Sequence, residues 1–572
     1  MSDPGRSLYT PESNSKLTGT TGIIFLVYQQ QIHFHYSEDH AAMTKKSSTQ
    51  NIKNIWMLTR EYDSIAGAGG VKDVSRQLAE ALSRLKKSVT VVLPCYGFMD
   101  PEKLGFSKES LSFEVDMNNT AEDRRELVTL WKCKLHRVTI YLVAADRYQE
   151  KRSIYTYTAE DEASNPNQVQ GSGHFDYFAM NILLQKAALD LMIILDQKPD
   201  IIHCQDGHTA ILPAMLQEGT GYRHYFSGTG SIVTIHNAGH GHHQEVGDLP
   251  FARAICSLPY NLILNNLLNS SFNPFLAASN FAVLNTVSEN YARELRETDD
   301  DVMTGWLGHR LKARGIRLEG ITNGFNPADF DTTKPKKLGL HAPFNPAKKD
   351  LAGKKICRQK LIQMLSKKRT KGIKRYGSLD DSPGQPLFTL IGRLMAQKGL
   401  DILIAGLDAL LKADKKFQVL ILGSGTKSLE QRLIKLARKK ENKGRICLLI
   451  GYDTLLANQI YAAGDFFLVP SRYEPCGLTD YIAQLAGNLP IVHHVGGLVK
   501  VEDGVTGFAF NDYSSDALMA AMLRAMRAFR DAPEKIIVMQ EVAAKRISKK
   551  YSWDKIVLQY LDLYSKALKM VG

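Results

Sequence analysis

Cysteine is scarce and unpatterned in this 572-residue chain: Cys95, Cys133, Cys204, Cys256, Cys357, Cys447 and Cys476 lie far apart, with no C-x-x-C among them. An odd, scattered set excludes a disulfide framework and a cysteine zinc site and fits a reducing compartment. Long apolar runs are lacking as well. The early run at 22–28 (GIIFLVY) falls far short of the roughly 20 residues a membrane span needs, and no cleavage-like signal follows. The expected location is therefore cytoplasmic, with no membrane partner. Short-period repeats are missing and the 43 Gly and 20 Pro are dispersed, which excludes collagenous, coiled-coil and linker-like chains. What remains is a globular composition, 44% hydrophobic and 23% charged, with a net charge of +13. One core rarely grows past about 250–300 residues, so two large domains are expected.

Residues 1–50 show no clear periodicity and read as an irregular extension, with Met43 an alternative start. From Asn54 short apolar runs alternate with amphipathic stretches: 55–58, 89–93, 138–143, 201–203, 232–235 and 283–287, with helical patterns at 74–85 and 179–195. Such alternation is the sign of parallel sheets covered on both faces. It lapses over 326–386, a segment carrying Pro327, Pro335, Pro343 and Pro346 and then a basic run from Lys348 to Arg375. It resumes at 387–391, 419–422, 446–450, 466–469 and 491–492. The division expected is an extension (1–50), a first α/β domain (51–330), a linker with a basic helical segment (331–385), a second α/β domain (386–545) and a C-terminal helix (546–572). Two such domains place a ligand cleft beyond the carboxyl ends of their strands.

Several motifs fail on inspection. Gly67-Ala68-Gly69 opens a helix after a strand, but the third glycine of a dinucleotide fingerprint would fall at Lys72. The segment 423–428 lacks the glycine that precedes the lysine of a phosphate loop. His240, His242, His243 and Asp248 do not share a helical face, so a solvated loop is favoured over a metal site. The basic run lacks interleaved aromatics and reads as a solvated helix face rather than a nucleic-acid surface.

Three loops after strands do carry chemistry. Gly69 and Gly70 at a helix start let backbone N–H groups approach a phosphate, helped by the positive helix end. Arg393 and Lys398, five residues apart after a strand, suit a diphosphate clamp. Glu474 follows the strand at 466–469, and the amides of Cys476, Gly477, Leu478 and Thr479 open a helix behind it as a second anion site.

These segments resemble the bacterial glycogen synthases and plant starch synthases. The likeness runs in order through G-G-V-K-D-V (69–74), H-C-Q-D-G-H-T-A (203–210), T-I-H-N (234–237), I-T-N-G (321–324), G-R-L-M-A-Q-K-G-L-D (392–401) and S-R-Y-E-P-C-G-L-T (471–479), covering about 52–566. The resemblance implies a GT-B fold, two Rossmann-like doubly wound domains facing a central cleft. It implies transfer of glucose from a nucleotide-glucose, ADP-glucose in most members, to the non-reducing end of an α-1,4-glucan, with retention and without metal or other cofactor. His236, Asp206, Asn323 and Glu474 fall at the family's active-site positions, and Gly69, Gly70, Arg393, Lys398 and residues 476–479 at its donor site. No nucleic-acid partner and no particular oligomeric state are implied.

Three positions depart from the pattern: Gly67 stands where members carry the lysine of K-T-G-G, and Gln205 and Gly207 replace the histidine and tryptophan that flank the aspartate. They leave ADP or UDP open as the donor base. Two other readings stay in view: a retaining GT-B transferase with a non-glucan acceptor, and a catalytically silent glucan- or nucleotide-binding regulator.

Overall fold

The computed structural model describes residues 52–219, 221–367 and 372–572, so the extension expected over 1–50 lies outside the described residues. The apolar runs form strands. The first half holds β1 (Asn54–Leu58), β2 (Ser88–Pro94), β3 (Ser107–Asp116), β4 (Arg125–Leu135), β5 (Val138–Ala144), β6 (Ile201–Gln205) and β7 (Gly230–Ile235). A small ladder of β8 (Leu267–Leu268) with β9 (Ser271–Phe272) follows, then β10 (Val283–Thr286) and β11 (Glu319–Gly320). Nine of them make one sheet in the order β11-β10-β7-β6-β1-β2-β5-β4-β3. It is parallel apart from the antiparallel β3–β4–β5 edge. Every residue of β6 and β7 is buried, as strands covered on both faces require. The β3–β4 hairpin escapes a search for apolar runs because its polar and apolar residues alternate on a half-exposed edge.

The second half builds a seven-stranded sheet from β12 (Lys374–Leu379), β13 (Leu387–Ile391), β14 (Gln418–Gly423), β15 (Arg445–Ile450), β16 (Phe466–Val469), β17 (Leu489–His493) and β18 (Phe508–Phe510). Their order is β12-β15-β14-β13-β16-β17-β18, with only β12 antiparallel.

Five helices support the sheets and the loops between them: α1 (Val71–Arg84), α2 (Tyr177–Ile194), α3 (Ala352–Lys367), α4 (Thr479–Leu485) and α5 (Trp553–Val571). Among the described residues α2 alone is long and apolar enough to cross a membrane, and most of it is buried within the first half. The segment 331–385 is more than a linker. It supplies α3 and the edge strand β12, whose Leu361, Leu365 and Leu379 pack with Leu387 and Leu420. The basic run is likewise not all solvated. Lys354 is buried, with Nζ donating to the carbonyls of Ala462 (2.9 Å) and Ala486 (3.0 Å). Arg358 pairs with Asp465 at 2.7 Å. A charge is tolerated inside when it is paired or closes orphan helix-end carbonyls.

Helix α5 packs on the first sheet, burying Trp553, Tyr560 and Tyr564 in that half's core. The Trp553 indole donates to Gln77 of α1 at 2.7 Å. From α5 a polar ladder crosses the sheet: the Tyr564 hydroxyl donates to His203 Nδ1 (3.0 Å), His203 Nε2 donates to Thr234 Oγ1 (2.7 Å), and Thr234 donates to Asn285 Oδ1 (2.8 Å). Each polar atom spends its one available proton or lone pair in sequence, which is how buried polar groups avoid the cost of an unmade bond.

Candidate active site between the two halves

The carboxyl ends of both sheets converge. Ser288, two residues past β10, donates to the Pro475 carbonyl at 2.8 Å, and Glu294 accepts the Gly496 amide at 2.9 Å. Tyr473 inserts from the second half into the first core, its ring edge-on to Tyr291 at 5.4 Å and its hydroxyl donating to Asn237 at 3.2 Å. The loops flanking these contacts carry nearly every residue singled out from the sequence.

On the first half's wall, Gln205 ends β6 and His236 follows β7. His236 Nε2 donates to Gln205 Oε1 at 2.7 Å. Burial holds the imidazole down to about 4, so it is neutral near pH 7. Asp206 sits between them in sequence with φ 64° and ψ −179°, a conformation that costs a non-glycine residue about 1–3 kcal/mol. Its carboxyl is buried and pushed up to about 8, chiefly by burial; the amides of Asn237, His236 and Gly207 pull the other way, and the Glu61 charge adds to the rise. Its Oδ1 has no hydrogen-bond partner. Strain, a raised pKa and an orphan oxygen on one side chain mark a site held ready for a ligand.

Gly207 has a packing cause. A Cβ there would lie 2.6 Å from the His243 carbonyl oxygen and 2.7 Å from that of His242. The 239–243 loop thus takes the space where a side chain at 207 would stand. His243 is fixed by donating to the Ala238 carbonyl at 2.6 Å, while Asp248 caps a helix by accepting the Phe251 amide at 2.9 Å. Among the described residues no three His, Cys, Asp or Glu side chains converge as metal ligands. Backbone carbonyls yield less readily than side-chain tips, so Gly207→Ala is expected to lower stability by about 1–3 kcal/mol, the range of an overpacked core site, read from chemical denaturation.

The glycine loop before α1 corrects one expectation. The amides of Ala68 and Gly69 already donate to Glu61 Oε2, at 2.6 and 2.7 Å, and the Tyr155 hydroxyl donates to Oε1 at 2.7 Å. No side chain caps α1, so the amides at its start retain donor capacity. A Cβ on Gly70 would lie 3.3 Å from the Leu478 side chain, which places the glycine loop opposite the 476–479 loop. Gly67 is filled in its own way: a Cβ there would lie 2.2 Å from Lys72 Cδ, and the Lys72 ammonium pairs with Asp63 and Asp73, both at 3.0 Å.

On the opposite wall, Arg393 and Lys398 differ in state. The Arg393 side chain is exposed and makes no ion pair or hydrogen bond among the described residues. Its charge is felt by His242, which burial and that charge hold down to about 4. Lys398 pairs with Glu474 Oε2 at 2.5 Å, and the Ser471 hydroxyl donates to the same oxygen at 2.9 Å. Burial would raise the Glu474 pKa, but Lys398, Ser471 and Lys500 outweigh it, so the carboxylate is held below its ordinary value.

Buried Lys500 ties down the 476–479 loop by donating to the carbonyls of Cys476 (2.5 Å) and Gly477 (2.8 Å) and pairing with Asp480 at 3.1 Å. Gly477 adopts φ 73°, where glycine is the favoured residue. Asn323, buried after β11, accepts from the Tyr481 hydroxyl through its carbonyl at 3.0 Å, and its Oδ1 has no partner. The sequence motifs assign no role to Glu61, Tyr473 or Lys500, although Tyr473 lies inside the 471–479 motif and Glu61 is an acidic residue just past the first strand.

Comparison with known proteins agrees with this arrangement. A family model described as the starch synthase catalytic domain matches residues 54–312, and one described as glycosyl transferases group 1 matches 385–528. The glycogen synthase of Anaeromyxobacter sp. (strain Fw109-5) is 31% identical over 519 residues, 89% of this chain and 98% of that protein. That of Streptococcus agalactiae serotype Ia is 30% identical over 523 residues, 90% and 99% of the two chains. The solved catalytic domain of starch synthase IV from Arabidopsis thaliana, bound to ADP and acarbose, is 24% identical with a TM-score of 0.74, covering 91% of this chain and 100% of its own. The likeness of fold identifies the two α/β halves as a GT-B pair.

Proposed function

Because the chain belongs to the glycogen synthase family of glycosyltransferases, we propose that it transfers glucose from ADP-glucose to the non-reducing end of an α-1,4-glucan, with retention, in the cytoplasm. The carrying observation is the half-buried Glu474–Lys398 pair joining the loops after β16 and β13, with the exposed Arg393 guanidinium on the latter loop and neutral His236 on the other half.

In the step proposed, the bond between the sugar's anomeric carbon and the diphosphate oxygen breaks. A bond to the acceptor hydroxyl forms on the same face, and the hydroxyl proton passes to the departing phosphate oxygen. Negative charge grows on the diphosphate as positive charge grows on the sugar. Arg393, Lys398 and the amides at the start of α1 and in the 476–479 loop meet the first, and fixed donors of this kind act most strongly where water is excluded. Lys398 carries three N–H donors, so it can hold Glu474 and a phosphate oxygen together. Glu474 meets the second charge and holds sugar hydroxyls; His236, Asp206 and Asn323 position the sugar from the first half. Because the donor and acceptor walls lie on different halves, closure accompanies binding.

The reading is tested by supplying ADP-[14C]glucose with maltooligosaccharide and digesting the product with an exo-acting enzyme that releases maltose from non-reducing ends. Labelled maltose is expected. Label confined to free glucose, or to a product resistant to the enzyme, would overturn the acceptor assignment.

A further inference from the structure

Gln205 ends β6 and His236 directly follows the neighbouring parallel strand β7, whose register sets Gln205 beside Thr234. Two residues back on each strand, His203 and Thr234 form the deeper pair of the same kind. The difference between the two histidines is informative. His203 uses both ring nitrogens on protein groups, Nδ1 with Tyr564 and Nε2 with Thr234. His236 uses only Nε2, on Gln205. Its Nδ1 has no partner among the described residues, and it is not one of the fully enclosed orphan atoms.

A carboxamide is a particular choice of partner. Its carbonyl oxygen can only accept, so it selects the ring form protonated at Nε2 and leaves a lone pair on Nδ1. It also brings no charge. A carboxylate at that distance would stabilise imidazolium, which has no lone pair to offer. The amide nitrogen of Gln205 is itself buried without a partner. A buried orphan donor is destabilising, so the bond to His236 is held at the expense of a second one. We propose that Gln205 is a positioning residue for glucosyl transfer: it locks His236 in its Nε2-protonated, neutral form so that Nδ1 accepts a hydrogen bond from a hydroxyl of the donor sugar.

This rests on the reading above, in which His236 faces the sugar. The ionisable groups around His236 come from several elements. His203 and His208, on β6 and in the turn after it, interact electrostatically with His236, and the Asp206 carboxyl accepts the His236 backbone amide; Glu61 after β1 and Tyr473 from the second half interact in turn with Asp206, and His242 lies on the loop after β7. Asp206 titrates on the alkaline side, while His242 and Glu474 titrate on the acid side in parent and variant alike, so it is the difference between the two acid limbs that reports on His236.

The test compares the full-length protein with Gln205→Glu, Gln205→Met and His236→Ala. Gln205→Glu is expected to raise the His236 pKa, so kcat/KM for the donor falls as pH drops below about 6.5, where the parent stays flat. Gln205→Met is expected to lower kcat/KM by roughly 10- to 100-fold, as loss of a positioning contact does. Selective 15N-histidine NMR, with His236→Ala assigning the signal, is expected to show a proton on Nε2 in the parent and a mixture of ring forms in Gln205→Met.

An acid limb unmoved in Gln205→Glu, or a parent ring protonated on Nδ1, would overturn the proposal. If His236→Ala is crippled while both Gln205 variants match the parent, the inference fails and the function stands. If the parent transfers glucose to no glucan, the function fails, and the NMR still decides the state of His236.

Discussion

Glu474→Gln is expected to reduce glucosyl transfer by about 100- to 1000-fold, the loss seen when one preorganised charge or donor is removed from a reacting centre. Its fold should survive. The amide keeps the shape of the carboxylate and can still accept from Ser471, and Lys398 is partly exposed, so its ammonium can turn to water. Lys398→Ala is a harsher change. It strands a half-buried carboxylate without its counter-charge, and losing a charged partner in such a setting costs about 1–3 kcal/mol of stability. The two variants are therefore separable by pairing turnover with a denaturant melt. Glu474→Gln should lose rate alone, and Lys398→Ala should lose both. Parent-like rates in Glu474→Gln would refute the role given to that carboxylate.

Asp206→Asn is expected to trade activity for stability. In the folded chain this carboxyl keeps its proton to about pH 8, whereas an unfolded Asp releases it near 3.9. Between those values the folded state binds a proton that the unfolded state has lost. Stability contributed by Asp206 is thus full below pH 4 and declines as pH rises toward 8, with a slope of at most about 1.4 kcal/mol per pH unit. Asparagine is neutral throughout, so the variant should be the more stable protein at pH 8 and lose that slope. Its turnover should fall roughly 100-fold, as for a misplaced contact at the reacting sugar. Melts at pH 5 and pH 8 decide the matter. A stability difference independent of pH would mean that Asp206 is ionised in the folded state.

How much of this was legible beforehand depended on the range of the interactions involved. Strands buried on both faces announce themselves as apolar runs, and the loops after β7, β13 and β16 carry residue types, His236, Arg393 with Lys398, and Glu474, whose chemistry is local to the motif. The hairpin β3–β4 and the edge strand β12 were hidden because half-exposed strands mix polar and apolar residues. Lys354 and Arg358 read as solvated because composition does not show that Ala462, Ala486 and Asp465 come to meet them. The same holds within the site. Glu61 closing the amides of Ala68 and Gly69, the 239–243 loop filling the space at Gly207, and the Lys72 stem lying over Gly67 join residues whose pairing only the folded chain brings about. The space beside the glycines at 67 and 207 is taken by these neighbours.

The most direct measurement is a paired assay in which glycogen is offered ADP-[14C]glucose or UDP-[14C]glucose, with parent protein and Glu474→Gln side by side. The account predicts label in glycogen from the parent, with ADP-glucose the better donor, and near-background label from the variant. Absence of label from either donor on glycogen and on shorter maltooligosaccharides, or equal label from parent and variant, would contradict it.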